Sequence, residues 1–256
     1  MFVFPMAGAS SRFSLAGYKQ PKFMLPLHNT NLFRTVIRGF KNYFDHQFFL
    51  FVILEGMVDE KWIIENCRYE GLQSHNLRVI SLARATHGQA STVYQALVDT
   101  RCKPDTELHI FNIDTVYAEF KLPEFYQEKN IAGFVDVIEA EGHHWSFVEP
   151  HLGNSTIGTV KRIVEKNRIS NLCSTGFYNF KQAELFLSSY KKSKLKHSLK
   201  SRKQEKYVAP LYQNLIESGH NIFFRKLNKN DVTFCGTPEE YQSFCKTETD
   251  GNLCFF

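Results

Sequence analysis

The sequence predicts a single wound α/β domain, with a mixed, mainly parallel central sheet and helices on both faces. Three observations lead there. Strand-like and helix-like patterns alternate through the first half of the chain, the arrangement that requires crossover connections between parallel strands. Phe48 to Leu54 reads FFLFVIL, a continuous apolar run of strand length, as a strand buried on both faces demands. The 256 residues are 43% hydrophobic and include 24 phenylalanines, enough for one large core.

Taken in order, Phe2 to Phe4 is a short apolar strand, and Met6 to Thr30, rich in small residues, Gly, Lys and Pro, reads as a long functional loop. Leu32, Phe33, Val36, Ile37, Phe40 and Phe44 then mark one face of a helix, with Asn31 as its N-cap. After the central strand come a helix near Val58 to Tyr69, a strand Leu77 to Leu82, a helix Ala90 to Thr100 and a strand Glu107 to Ile113. The second half has less helix between its strands, near Gly133 to Ala140, Val160 to Glu165 and Gly176 to Phe180, which makes the sheet mixed. Helices near Lys181 to Tyr190, Val208 to Ser218 and Pro238 to Cys245 complete the outer layer, the last with Thr237 as N-cap and Pro238 at the first helical position.

Composition excludes several classes. Fourteen Gly and eight Pro are ordinary counts, so collagen-like and fibrous architectures are out, and so much phenylalanine argues against disorder. The net charge of +5 is too small to predict nucleic-acid binding, though it favours an anionic small molecule. Cys67, Cys102, Cys173, Cys235, Cys245 and Cys254 form no CxxC pair and read as free thiols of a reducing compartment. With no leader-like start and no stretch approaching a membrane span, a cytoplasmic protein is expected.

Chemistry concentrates first in Ala7-Gly8-Ala9-Ser10-Ser11-Arg12, directly after the first strand, and in Gly17 to Lys22, which ends Pro21-Lys22. Small side chains let backbone N–H groups curl around an anion, while Arg12 and Lys22 can neutralise charge that grows on a phosphoryl oxygen during transfer. The bland alternative is a surface loop with two solvated cations. The strand before the loop and the pairing of Arg with Pro-Lys favour phosphate chemistry.

This segment resembles the opening motif of the sugar-phosphate nucleotidylyltransferases, A-G-x-G-(S/T)-R followed by P-K. Later stations of the family pattern follow in order, so the resemblance runs from residue 2 to about residue 240. Thr86-His87-Gly88-Gln89-Ala90 is similar to the base-contacting segment, and Asn112-Ile113-Asp114 to the strand-end metal aspartate. Glu165-Lys166 is similar to the sugar-side Glu-Lys, and Ser174-Thr175-Gly176-Phe177-Tyr178 and Gly236-Thr237-Pro238-Glu239 hold the family's order. The resemblance implies a Rossmann-like domain over 1–256, with a nucleotide-binding half, 1–115, and an acceptor half, 116–256. It implies attack by a substrate phosphate on the α-phosphorus of a nucleoside triphosphate, with pyrophosphate leaving. By the same carry-over Ala7, Gly8, Ala9, Ser10, Ser11, Gly88 and Gln89 bind the nucleotide, and Arg12 and Lys22 are catalytic. Asp114 holds Mg²⁺ or Mn²⁺, and Trp145, Glu165, Lys166, Gly176 and Tyr178 bind the acceptor.

Three departures stand out. Ser10 occupies the place of the pattern's second glycine, Asn167 follows Glu165-Lys166 where proline is common, and Phe234-Cys235 precedes Gly236-Thr237 where many relatives carry a second metal aspartate. Asp231 lies nearby and Glu205 precedes a Tyr-rich stretch, but neither matches the family position. Neighbouring His143 and His144 would point to opposite faces of a strand and so are not read as a metal pair. The run from Lys191 to Lys203 holds seven Lys or Arg and is read as a solvated loop or helix face; the functional alternatives are a mobile lid that brings positive charge to a polyphosphate, which is preferred, and a contact with an anionic membrane surface.

The leading expectation is therefore a nucleotidylyltransferase joining a nucleotide, CTP or UTP/dTTP by preference, to a phosphorylated sugar or other small phosphate ester, for surface-polysaccharide precursors such as those of capsules. It needs no nucleic-acid partner and no membrane span, and is compatible with a homo-oligomer. Two rivals remain at this stage: a nucleotide-sugar-dependent glycosyltransferase, which lacks its DxD motif here, and a non-catalytic nucleotide-binding regulator, favoured if no metal is held. Pyrophosphate release separates them.

Overall fold

The computed structural model describes residues 1–127, 130–153, 155–197 and 205–247, with the side chains of 194–197 excepted. Cys254 and the 198–203 part of the basic run lie outside them. The chain forms two compact units, one of Met1–Pro5, Thr86–Phe111 and Leu122–Asn228, the other of Met6–Ala85, Asn112–Lys121 and Lys229–Phe256. Seven α-helices and a mixed set of strands are described, an α/β architecture. None of the described helices is long and apolar enough to cross a membrane.

In the first unit the strands follow the order Phe2–Pro5, Leu108–Phe111, Leu172–Phe180, Ile131–Glu139, Asn221–Lys226, Ile157–Glu165, Ser146–Pro150. Phe2–Pro5 lies parallel to Leu108–Phe111, and Asn221–Lys226 parallel to Ile131–Glu139. Leu172–Phe180 is antiparallel to both its neighbours, and Ile157–Glu165 to both of its own. The sheet is mixed as predicted, but antiparallel pairing prevails in this unit where the sequence predicts a mainly parallel sheet. The reason is local: Ser146–Pro150 and Ile157–Glu165 are joined by a short connection, which permits only an antiparallel return, whereas parallel strands need a long crossover.

Phenylalanines fill this core. Phe134, Phe177, Phe180 and Phe186 are fully buried, and Phe180 stacks on Tyr212 at 4.6 Å. The Tyr212 hydroxyl donates to the Phe134 and Asn179 carbonyls, so its one polar atom is satisfied inside the core. A side chain at Gly133 would meet the Asn179 carbonyl at 2.1 Å, so only glycine lets these backbones approach. Burial also holds the His109 imidazole well below its ordinary pKa, neutral between the rings of Phe2 and Phe177.

The second unit contains the predicted central strand as Phe49–Leu54, paired parallel to Leu77–Leu82 in register Phe49↔Leu77 through Leu54↔Leu82. Phe49 to Ile53 are all fully buried, as the unbroken apolar run requires. Asn31 caps the helix Leu32–Arg38 by accepting from the Arg34 N–H at 2.9 Å, and Leu32, Phe33, Val36 and Ile37 are its buried face. The helix stops sooner than its periodicity predicts, because Gly39 backs onto the Tyr117 carbonyl and a short 3₁₀ turn Lys41–Tyr43 takes over. Thr237 and Glu240 close a capping box on Pro238–Thr247: the Glu240 N–H donates to the Thr237 hydroxyl at 3.2 Å and Glu240 Oε2 accepts from the Thr237 N–H at 2.9 Å.

One buried ion pair ties neighbouring strands of the first unit. Arg225 donates two hydrogen bonds, of 2.8 and 2.7 Å, to Asp136, which is wholly buried. The two residues sit opposite each other in the parallel register, so the fork is held by the ladder itself. Asp136→Leu leaves that guanidinium without its carboxylate and is expected to lower the unfolding free energy by about 3 kcal/mol, read as a fall in the urea midpoint.

Candidate active site

The loop after the first strand is more ordered than its composition predicts. Between Met6 and Thr30 it forms a short helix Ser11–Leu15, a 3₁₀ turn Lys22–Met24 and a small hairpin of Pro26–Leu27 with Thr30–Asn31. Phe13 and Phe23 supply the reason, since both are buried and anchor the segment from within. Gly8 and Ala9 are exposed, and no atom lies within 4 Å of where a Gly8 side chain would start. Ala7 is buried, and Ser11 is exposed at the helix start.

Ser10 explains the missing glycine. Its φ is 49°, in the left-handed region that favours glycine, so the backbone keeps the glycine-type turn while carrying a side chain. That side chain is used: Ser10 Oγ accepts from the Lys22 N–H at 3.4 Å, joining the two halves of the motif. Arg12 is exposed two residues on and makes no ion pair among the described residues.

Lys22 and Asp114, predicted separately as catalytic cation and metal carboxylate, are in direct contact. Lys22 Nζ lies 2.5 Å from Asp114 Oδ2, with about a fifth of each side chain exposed (20% and 23%). Asp114 lies in the turn between Leu108–Phe111 and Thr115–Tyr117, and its carbonyl accepts from the Cys235 N–H at 2.7 Å. A side chain on Gly236 would come within 3.2 Å of Asp114 Oδ2 and 3.5 Å of Glu240 Oε2. Two carboxylates thus flank one glycine, although Glu240 Oε2 already accepts from the Gly236 and Thr237 N–H groups. Cys235 does not replace the second aspartate as an anion: it is fully buried, and burial, reinforced by Asp114 and Glu240, pushes its thiol far above the ordinary range. Among the described residues no group of three or more His, Cys, Asp or Glu is placed to hold a metal by itself. Mg²⁺ commonly takes one or two carboxylates and completes its shell with substrate phosphates and water, so Asp114 fits an ion shared with a nucleotide.

In the first unit, Gly88 caps the helix Gln89–Asp99 with φ of 111°. Any side chain there would lie 2.7 Å from the backbone N and O of Lys206, which pair with their neighbours on either side. The Lys206 N–H donates to the His87 carbonyl at 2.6 Å, and its carbonyl accepts from the Ala90 N–H at 2.9 Å. Gln89 is half-buried beside them.

The acceptor candidates are also gathered. Glu165 pairs with Ser146 across two antiparallel strands, and the Ser146 hydroxyl donates to Glu165 Oε2 and lies 3.4 Å from the Tyr178 hydroxyl. Gly176, at φ 90°, sits where Leu172–Phe180 bulges: Ser174 to Tyr178 advances opposite only Val137 to Val135. Lys166 holds φ of 55°, an uncommon value for a residue with a side chain, and its N–H donates to the Trp145 carbonyl at 2.8 Å. The Trp145 indole N–H donates within its own turn, to the Glu141 carbonyl at 2.8 Å, so the backbone of Trp145 meets this cluster by contact while its ring is tied to the turn. The sequence reading gives neither Ser146 nor Lys206 and Tyr207 a role of its own, because the contacts that bring them here are made with residues distant in sequence.

Once this geometry is in view, the comparisons add the family. No family model matches the sequence, and the curated proteins give no match. Among solved structures, the nucleoside-diphosphate-sugar pyrophosphorylase from Vibrio cholerae RC9 is 36% identical, with a TM-score of 0.88, over 96% of this chain and 99% of that one. The chain therefore belongs to the nucleoside-diphosphate-sugar pyrophosphorylases, a family of sugar-phosphate nucleotidylyltransferases. The same fold recurs at 13% identity in a UDP-glucose pyrophosphorylase complexed with UDP-glucose, with a TM-score of 0.74 over 98% of both chains. It recurs at 15% identity in the inositol-1-phosphate CTP transferase from T. maritima, with a TM-score of 0.69 over 99% of this chain and 97% of that one.

Two outcomes follow from the geometry. Gly88→Ala is expected to destabilise the protein by roughly 2 kcal/mol or more, since it adds both a backbone clash and left-handed strain, and thermal unfolding checks it. Burial, opposed by the Ser146 hydrogen bond and the Lys166 charge, raises the pKa of Glu165. The folded protein therefore holds this proton more tightly than the unfolded chain does, a contribution present below the ordinary carboxylate pKa and lost as pH rises through the folded value. Glu165→Gln should accordingly gain stability relative to the parent at about pH 7 and not at about pH 4, as paired denaturation curves would record.

Proposed function

We propose that this protein transfers a nucleotidyl group from a nucleoside triphosphate to a sugar phosphate or similar small phosphate ester, releasing pyrophosphate. The observation that carries the reading is the contact between Lys22 and Asp114, beside a glycine-type turn at Ser10, in a chain 36% identical to a nucleoside-diphosphate-sugar pyrophosphorylase. A cation of the phosphate-binding loop that meets the carboxylate of a distant turn supplies the two charges this transfer needs.

The acceptor phosphate oxygen bonds to the α-phosphorus as the bond from that phosphorus to the β-phosphate oxygen breaks, and pyrophosphate carries away the electron pair. No covalent enzyme intermediate and no general base are required, so the protein's work is positioning and charge neutralisation. Exposed backbone at Gly8 and Ala9, with Ala7, Ser10 and Ser11, cradles the triphosphate. Arg12, exposed and without an acidic partner among the described residues, neutralises charge growing at the α-phosphorus. Lys22 exchanges Asp114 for phosphate oxygens and draws together two anions that otherwise repel. Asp114 would hold Mg²⁺ or Mn²⁺, which would supply further neutralisation of the leaving charge.

Gly88 and Gln89 receive the base, and Glu165, Lys166, Gly176, Tyr178 and Trp145 the acceptor. Residues 1–115 thus serve the nucleotide and 116–256 the acceptor. Parallel pairs at Phe2–Pro5 with Leu108–Phe111 and at Phe49–Leu54 with Leu77–Leu82 support the Rossmann-like winding of the nucleotide half. A pyrimidine triphosphate is the favoured donor, in keeping with the UDP-glucose and CTP named for two structures of this fold. The activated sugar is read as a precursor of a surface polysaccharide.

Pyrophosphate release, followed over pairs of the common nucleoside triphosphates and sugar 1-phosphates with Mg²⁺, tests the reading. Release from at least one pair supports it; nucleotide binding without release supports a regulator instead. With the active pair in hand, Lys22→Met is expected to raise the acceptor KM and lower kcat together, by roughly 100-fold in kcat/KM, and Lys22→Arg to restore only part of the loss.

A further inference from the structure

We propose that Tyr207 is a positioning residue of the acceptor site, its hydroxyl fixing the Lys166 ammonium where the phosphate of the incoming substrate arrives; the role rests on the transferase reading above. Lysine carries its charge on a flexible stem of four carbons, and a partly exposed one loses much rotamer freedom whenever it is held in one place. Something must therefore hold Lys166, whose side chain is 47% exposed. The Lys166 ammonium donates to the Tyr207 hydroxyl, and that hydroxyl donates onward to Glu205 Oε2. Lys166 and Glu205 are themselves 4.0 Å apart, so the phenol stands between cation and anion. The ammonium is oriented by a neutral oxygen and keeps donors for an incoming anion, which a close pair with the carboxylate would take up.

The tyrosine can act this way because its backbone is fixed from the preceding residue. Lys206 pairs through both its N–H and its carbonyl with His87 and Ala90, around a Gly88 that has no room for a side chain. Its ammonium lies 5.0 Å from the centre of the Tyr190 ring, and the Tyr190 hydroxyl donates to Ser91 in the helix that Gly88 caps. Lys166 is fixed from the other side, by its left-handed backbone and its hydrogen bond to Trp145. Residues 205–207 thus reach the segment read as nucleotide-binding through one residue and the acceptor lysine through the next. A surface Lys–Glu pair alone would be worth little; a bridging hydroxyl on a pinned backbone makes it a device for orientation.

Tyr207→Phe isolates the hydroxyl, because the ring that lies 4.5 Å from the Lys166 ammonium is retained. Steady-state kinetics of the full chain, with each substrate varied in turn, should show the acceptor KM raised roughly three- to tenfold in Tyr207→Phe with the triphosphate KM unchanged. In a Lys166→Met background the same change should add nothing, since the group it orients is gone. An active parent whose acceptor KM is unmoved by Tyr207→Phe, or effects that multiply in the double variant, overturns the positioning role alone. A parent that releases no pyrophosphate from any pair overturns the transferase reading and the role with it.

Discussion

The contact between Lys22 and Asp114 is the constraint around which the second unit is built. It joins a loop that follows the first strand to a turn nearly a hundred residues later, and both partners are held by other means. Ser10 receives the Lys22 N–H, Cys235 donates to the Asp114 carbonyl, and Gly236 leaves room for the Asp114 carboxylate. Without a nucleotide the two charges satisfy each other. In the proposed reaction each would take another partner: phosphate oxygens for the lysine, a divalent cation for the aspartate. An ion pair about a fifth exposed, between partners that are each held by other contacts as well, is suited to being exchanged for substrate in the proposed reaction.

Backbone strain falls on the candidate site. Only Ser10, His28, Arg101 and Lys166 among the described residues other than glycine have positive φ, and two of these belong to the motifs that carry the chemistry. Gly88 and Gly176 add left-handed glycines at the base and acceptor stations. Such conformations persist when the surroundings over-determine them. At Ser10 the surroundings are buried Phe13 and Phe23, at Gly88 the Lys206 backbone, and at Lys166 the hydrogen bond to Trp145.

Much of this was legible in the sequence because it is local. The run FFLFVIL has the length and composition of a buried strand, and Phe49–Leu54 forms one with exposed Phe48 just outside it; Asn31 and Thr237 advertise helix starts through side chains that accept from the following turn, and Leu77–Leu82 has its predicted bounds. The candidate site residues were legible as a series of stations through the resemblance of their order to the family's motifs. Where pattern and structure part, the cause is either a contact distant in sequence or the length of a connection. Gly39 ends its helix early with the Tyr117 carbonyl behind it, and Ser146–Pro150 returns antiparallel as Ile157–Glu165 across the short connection between them.

By itself, then, the sequence determined an α/β protein, the order of its motifs and the helix caps. Tertiary structure alone decided that Lys22 meets Asp114, that Cys235 is buried and neutral, that Ser146 links Glu165 to Tyr178, and that Tyr207 holds Lys166. Periodicity and capping depend on residues within a turn or two of each other. Those four contacts join residues separated by 19 to 92 positions, or depend on burial produced by the whole unit, and no local pattern encodes them.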